Sequence, residues 1–180
     1  DVVVMVDEAY IDFGGTSALP LLQKYDNLLV IQTFSKSRAM AGMRIGFAIG
    51  NEKLIGYLND VKFSFNSYTM NQTSIAMGVA CVKDDVYFKE IVGKVIATRE
   101  RVKQELKELG FSFPDSMSNF IFATHERIPA ADIFEACKKE SIFVRYFQKP
   151  RIDNYLRISI GTDDEMDELL AFLKEYIAQQ

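Results

Sequence analysis

The spacing of apolar positions changes along this chain, and each change marks a different kind of element. Val2 to Val6 is an unbroken apolar, β-branched-rich run, the pattern of a strand buried on both faces. Asn27 to Phe34 (NLLVIQTF) reads as a second buried strand, and Arg44 to Ile49 (RIGFAI) as a third. Residues 52–60 read as a short helix and Asn71 to Val82 as another. From Phe88 the residues Phe88, Ile91, Val92, Val95, Val102, Leu106 and Leu109 keep helical spacing until Gly110 stops it. That pattern predicts a long helix joining two domains.

Beyond Gly110 the elements shorten and alternate. Asn119 to Ala123 reads as a strand, and Pro129 opens a helix through Lys139. Phe143 to Phe147 and Tyr155 to Ile160 read as strands, the second with clean period-two alternation. Thr162 with Glu165 three residues on is a capping-box pattern, opening a last helix on Met166, Leu169, Leu170, Leu173 and Ile177. Helices set against a small sheet make this an α+β module. The expected organisation is therefore α/β: residues 1–85 as part of a larger domain, 86–110 as a connecting helix, and 111–180 as a small C-terminal domain.

Composition narrows the class of protein. The 180 residues suffice for one domain, or for a small domain plus part of another. A hydrophobic share of 48% and a charged share of 26% belong to an ordinary globular chain. The net charge of −4 argues against a nucleic-acid partner, which calls for a basic stripe. No apolar run reaches the ~20 residues of a membrane-spanning helix. The start, DVVVMV, lacks the basic flank and cleavage site of a signal peptide. Cys81 and Cys137 stand far apart with no CxxC, so both read as buried, reduced thiols, which suits the cytoplasm. The chain opens inside a strand pattern and without Met, which is expected of a chain whose N-terminal part has been removed.

Several mechanisms are excluded by what is missing. His125 is the only histidine, so His-based metal sites and Ser-His-Asp triads are not expected, and His125 reads as a surface loop residue. The chain has no GxSxG, HExxH, GxGxxG or GxxxxGK[ST]. Four features remain. Asp7-Glu8-Ala9-Tyr10 follows the first strand directly, and Ser35-Lys36 follows the second. Arg44 lies eight residues beyond the lysine, and Arg157 sits on the alternating strand of the last module. Open α/β sheets bind ligands beyond the carboxyl ends of strands, where the first two features fall. Taken singly, each has a plainer reading. An apolar strand ending in Asp-Glu also describes the Mg-binding strand of P-loop ATPases, Ser-Lys is commonly solvated, and an arginine commonly serves a surface ion pair.

Taken together they meet the demands of pyridoxal 5′-phosphate (PLP). Its aldehyde needs a lysine amine, its pyridine nitrogen a carboxylate, its 3′-oxygen a phenol donor, and its phosphate hydroxyls and an arginine fork. Lys36, Asp7, Tyr10, Ser35 and Arg44 supply these groups. A free lysine of pKa ~10.4 is unprotonated in only about one molecule in 2,500 at pH 7. Such a lysine needs the cofactor and a cationic, partly desolvated pocket to act as a base.

Read in order, DEAYIDF, TFSKSRAMAGMRIGFAIG, NSYTMNQTSIAM and YLRISIGT resemble the histidinol-phosphate aminotransferase family of fold-type I PLP enzymes, over essentially the whole chain. The resemblance implies part of the PLP-transferase large-domain sheet followed by the small domain. It makes Lys36 the catalytic Schiff-base lysine, Asp7 the pyridinium partner and Tyr10 the 3′-oxygen donor. Ser35, Arg44 and, with less support, Thr33 would bind the cofactor phosphate. Arg157 would hold the substrate carboxylate, and Arg145 in FVRYF would assist at the distal phosphate. Periodicity gives Arg157 separate support: Leu156, Ile158 and Ile160 share one strand face, leaving Tyr155, Arg157 and Ser159 on the other, as a residue lining a cleft would be.

The resemblance also implies amino acid and 2-oxo acid substrates, a homodimer, and a chain roughly twice this length. The absent half of such a chain supplies a phosphate loop, a ring stacked on the cofactor and an Asn near the 3′-oxygen. Ser37-Arg38-Ala39-Met40 departs from the family, with Arg and Met where small or aromatic residues are common. Another PLP aminotransferase, a threonine-phosphate-type decarboxylase, or a silent fragment acting only by association stay open as alternatives.

Overall fold

In the computed structural model, which describes residues 2–180, strand β1 (Val4–Asp7) runs parallel to β2 (Leu28–Thr33), and β3 (Gly46–Gly50) returns antiparallel on the other side of β2. The central strand β2 is the buried one, with Leu28, Leu29 and Val30 at 5% exposure or less. Strand β1 departs from expectation. It begins at Val4 rather than Val2, and Val2, Val3, Val4 and Met5 are all exposed. As an edge strand it has one neighbour, so its apolar side chains lack the cover that a two-sided run demands.

Helix α1 (Glu52–Phe65) is capped by the Asn51 side chain and runs beyond the expected 52–60, because nothing after Asp60 breaks it until Asn66. Helix α2 (Gln72–Lys83) is capped by Asn71, whose Oδ1 accepts from the Ser74 N–H at 2.8 Å. Gly78 lets this helix approach Ile45: a Cβ there would stand 2.9 Å from the Ile45 Cδ1. The chain divides into two compact units, Asp1–Val92 and Gly93–Gln180, and the division falls inside helix α3 (Asp85–Glu108).

The second unit holds a four-stranded antiparallel sheet, ordered β4 (Phe111–Ser112), β5 (Phe120–His125), β7 (Leu156–Ser159), β6 (Arg145–Tyr146). Helices α4 (Ala130–Lys139) and α5 (Asp163–Ala178) complete it. One closed core joins Val102 and Leu106 of α3, Ile121 and Ala123 of β5, Leu156 and Ile158 of β7, Ile133 and Cys137 of α4, and Met166 and Leu173 of α5. The expected alternation on β7 is present, with Leu156 and Ile158 each at 1% exposure and Arg157 and Ser159 on the other face. The capping box is complete: Thr162 accepts from Glu165 N–H, and Glu165 accepts from Thr162 N–H.

Four further expectations need correction. The strand foreseen over 143–147 is paired only at Arg145–Tyr146, and Phe143 is exposed. Pro129 is the N-cap of α4 rather than its first residue, its ψ of 140° being extended. His125 is no surface residue: it is 4% exposed at the end of β5. Its Nδ1 accepts from the Arg127 and Ile128 N–H groups, which leaves Nε2 to donate to the Leu109 carbonyl at 3.0 Å. That bond secures the end of α3 where Gly110, at φ +85°, turns the chain. Of the two cysteines only Cys137 is buried; Cys81 is partly exposed. Among the described residues no helix is long and apolar enough to cross a membrane, and no group of three or more His, Cys, Asp or Glu could hold a metal ion.

Candidate active site

Topology brings the sequence candidates of the first unit to one edge of its sheet. Because β1 and β2 are parallel, Asp7 at the end of β1 and Thr33, Ser35 and Lys36 at the end of β2 leave the sheet on the same side. Because β3 is antiparallel, with Gly46 opposite Thr33, Arg44 enters β3 at that same edge. A strand reversal therefore joins an arginine to a lysine eight positions before it.

The groups at this edge have distinct surroundings. Asp7 is exposed, and its Oδ1 accepts from the Ala9 N–H at 3.0 Å, closing an Asx turn. The Thr33 hydroxyl proton is shared between Ser35 Oγ at 2.9 Å and the Ile45 carbonyl at 3.1 Å, while Thr33 Oγ1 accepts from Ser35 N–H at 3.1 Å. Ser35 thus keeps its own hydroxyl proton for another acceptor. The Lys36 Nζ is 5.4 Å from the centre of the Tyr10 ring, within cation–π range. Arg44 takes the left-handed conformation at φ 57°, and its Nη1 donates to the Ala41 carbonyl at 2.8 Å, which leaves most of the fork available. A non-glycine residue in that region is strained and persists only where its surroundings hold it.

Residues that sequence reasoning passed over hold this edge in place. Glu8 is 6% exposed, and its carboxylate accepts from Ser17 Oγ, from Ala18 N–H at 2.6 Å and from Gln32 Nε2 at 2.9 Å. It ties the turn after β1 to β2, so the two residues of the Asp-Glu pair divide the work. Strand alternation carries the signal: Glu8 follows Asp7 and must face the opposite way. Buried Ser37 donates a short hydrogen bond to Asp12, joining the lysine loop to the turn that carries Tyr10.

In the second unit, β6 and β7 pair so that Arg145 stands directly opposite Arg157, with Phe122 of β5 opposite Arg157 on the other side. Like charges facing across a ladder destabilise it unless an anion lies between them. The Arg157 Nε is buried and has no hydrogen-bond partner among the described residues, and its guanidinium carbon lies 5.4 Å from the Phe120 ring centre. A buried, unsatisfied guanidinium N–H marks a place where an acceptor belongs. Phe122 stacks on Tyr155 at 4.7 Å on this face, while Arg145 is exposed beside Phe147. The first unit thus offers an amine, a carboxylate, a phenol, two hydroxyls and a guanidinium; the second sets two arginines opposite each other across a strand pair.

Known proteins match this chain along nearly its whole length. A histidinol-phosphate aminotransferase of Brachyspira hyodysenteriae is 56% identical over 178 residues, which are 98% of this chain and 50% of that protein. The crystal structure of the histidinol-phosphate aminotransferase from Clostridium acetobutylicum superposes with a TM-score of 0.89 at 26% identity, covering 99% of this chain and 55% of that one. The Sinorhizobium meliloti enzyme, solved in complex with pyridoxal-5′-phosphate, superposes at 0.81 with 27% identity, over 98% of this chain and 49% of that one. The chain therefore spans about half the length of the relatives it matches. The family model for aminotransferase class I and II matches residues 1–173, and the chain belongs to that family.

Proposed function

We propose that this chain is the lysine-bearing part of a PLP-dependent aminotransferase that moves an amino group between histidinol phosphate and 2-oxoglutarate. Three strand ends carry the proposal: β1, β2 and the start of β3 bring Asp7, Lys36 and Arg44 to one sheet edge. The donor set there fits the cofactor, group for group.

Bound PLP supplies an aldehyde that takes up amines and a protonated ring that draws electrons from the substrate carbon. Lys36 would hold the aldehyde carbon and would serve as the base that moves the substrate's α-proton. Asp7 would keep the pyridine nitrogen protonated, and Tyr10 would donate to the 3′-oxygen. Ser35, with Thr33 and Arg44, would bind the phosphate, the arginine through its planar fork. Arg157 and Arg145 take the anionic end of the substrate. Histidinol phosphate carries a phosphate ester where glutamate carries its α-carboxylate. A pair of arginines suits both: Arg157 alone matches a carboxylate, and the two together match a doubly charged phosphate. The apolar faces left open on β1, α1 and α2 suit assembly as a homodimer completed by further chain.

Borohydride tests the proposal directly. PLP added to the intact protein should give an imine absorption band that borohydride abolishes, leaving the cofactor's mass on the peptide that contains Lys36. Lys36→Ala should lose both the label and turnover while the fold survives. Label on another lysine, or more than about a tenth of the parent rate in Lys36→Ala, would remove Lys36 from the mechanism.

A further inference from the structure

Arg38 and Met40, shortly after the lysine, stand where the resemblance leads one to expect small or aromatic residues, and the structure gives Arg38 a task. Lys36 sits in a loop whose backbone is strained: Ala39 has φ 52°, a conformation that costs energy for any residue with a Cβ. The loop's own hydrogen bonds, from Ala39 N–H to the Lys36 carbonyl and from Met40 N–H to the Phe34 carbonyl, are both 3.0 Å. Beneath it lies a largely apolar cavity of about 290 Å³, walled on one side by Arg38, Ala39 and Met40 and on the other by Met77, Cys81 and Phe88. A strained loop above empty space can sink unless something braces it.

Arg38 crosses that space. Its guanidinium carbon lies 3.9 Å from the centre of the Phe88 ring in the first turns of α3 and 5.3 Å from that of Phe34 at the end of β2. Its Nη1 donates to the Cys81 carbonyl in the last turn of α2 at 3.2 Å. Ser37, one residue earlier, is tied to Asp12 on the opposite side of the loop. The two residues after Lys36 are thus anchored to different elements, and Lys36 is left exposed between them and Ser35.

We propose that Arg38 is a positioning residue, a strut that holds the Lys36 backbone where its amine can meet the cofactor aldehyde. The proposal rests on the role given to Lys36 above. Arginine suits the task because its flat cation can stack on rings while its edge still donates a hydrogen bond; lysine keeps the charge and loses the plane.

Two variants in the full chain test it, Arg38→Met and Arg38→Lys. Met keeps the length and apolar contact, which favours folding, and removes both the stacking charge and the donor. In Arg38→Met the Ala39 and Met40 amides should exchange with deuterium at least about 10-fold faster, while the Leu29–Ile31 amides of β2 stay unchanged. The initial rate at which PLP becomes borohydride-trappable on Lys36 should fall by about 10-fold, since small misplacement of a reacting group is costly. Arg38→Lys should fall between Met and the parent in both. Trapping of the parent chain on Lys36 is the control: its failure would sink the cofactor assignment, whatever Arg38 does. Parental exchange and trapping rates in Arg38→Met would overturn the strut. So would exchange raised equally throughout the first unit, which would make Arg38 an ordinary packing residue.

Discussion

The two units of this chain are about equally long, yet they bury their apolar residues very differently. The core of Gly93–Gln180 closes on itself, with Leu106, Ile121, Ile133, Leu156, Ile158 and Leu173 each at 1% exposure or less. Of the large exposed apolar side chains, all but Met117 and Phe143 belong to Asp1–Val92. They include Val2–Met5 at and before the start of β1, Phe65 at 90% and Tyr68 at 93% exposure, and Ile75, Met77, Val79 and Val82 on α2. Exposed singly such residues need no explanation, but this many within one unit call for a covering partner. The second unit is finished; the first is built to be covered by something else.

Separating the units puts the sharpest strain on this comparison. Expressed alone, residues 93–180 should remain monomeric by light scattering and unfold in one cooperative step, whereas residues 1–92 should self-associate. A monomeric, cooperatively folding 1–92 would show that its open faces are tolerable as they stand.

Core truncation should separate them next. Leu173→Ala, at 1% exposure, should cost about 2–5 kcal/mol in denaturant unfolding. Met5→Ala, at 58% exposure, should change stability by no more than ~0.5 kcal/mol. A large loss at Met5 would mean that β1 is already covered.

The proposed chemistry divides along the same line. In the intact protein, Asp7→Asn should lower turnover by about 100-fold, ~2.7 kcal/mol of transition-state stabilisation, with the cofactor still bound. Arg157→Lys should leave cofactor retention unchanged and weaken both amino and keto substrates about 10-fold, ~1.4 kcal/mol, through loss of the fork. Cofactor loss in Arg157→Lys with substrate affinity intact would reverse the two assignments.

The smallest effect concerns the thiols. Burial pushes the Cys137 thiol from its ordinary 9.0 up to about 11. The fold thus favours the protonated form. Its contribution is whole below pH 9 and is lost as the pH rises toward 11. Thermal midpoints should decline across that window, and less steeply in Cys137→Ala. Iodoacetamide should label Cys81 in the folded chain and spare Cys137; equal labelling would mean that the second core is open.

How far the sequence was readable follows the same division. Helix α5 is legible because its box, its periodic leucines and its core are all present in the chain. Strand β7 is legible because alternation puts Leu156 and Ile158 inward. Asp7, Lys36 and Arg44 are recognisable as a set from their residue types and order, although their meeting depends on β3 running antiparallel, which no residue in RIGFAI announces. His125 was misplaced because a lone polar residue says nothing about three backbone partners folded around it. The run at Val2–Val6 states its need for burial correctly, but not where its cover lies. Arg38 stands out in the sequence only as an unusual residue, and its task is readable only once Phe88 and Cys81 are beside it.

The facing of Arg145 and Arg157 bears on which length changes this chain could tolerate. The two are separated by a connection whose residues Gln148–Arg151 are exposed, and their alignment is set by the β6–β7 ladder rather than by that connection. Extra residues inserted at 148–151 would add little closure entropy and leave the arginines aligned. Asn154 is a poorer place, since its Oδ1 caps the Ala130 N–H of α4. Removing one residue from within β7 would turn Arg157 toward the core and Leu156 or Ile158 outward. Natural variation and loop grafting should accordingly collect in one short exposed stretch and stop abruptly at the strand beside it.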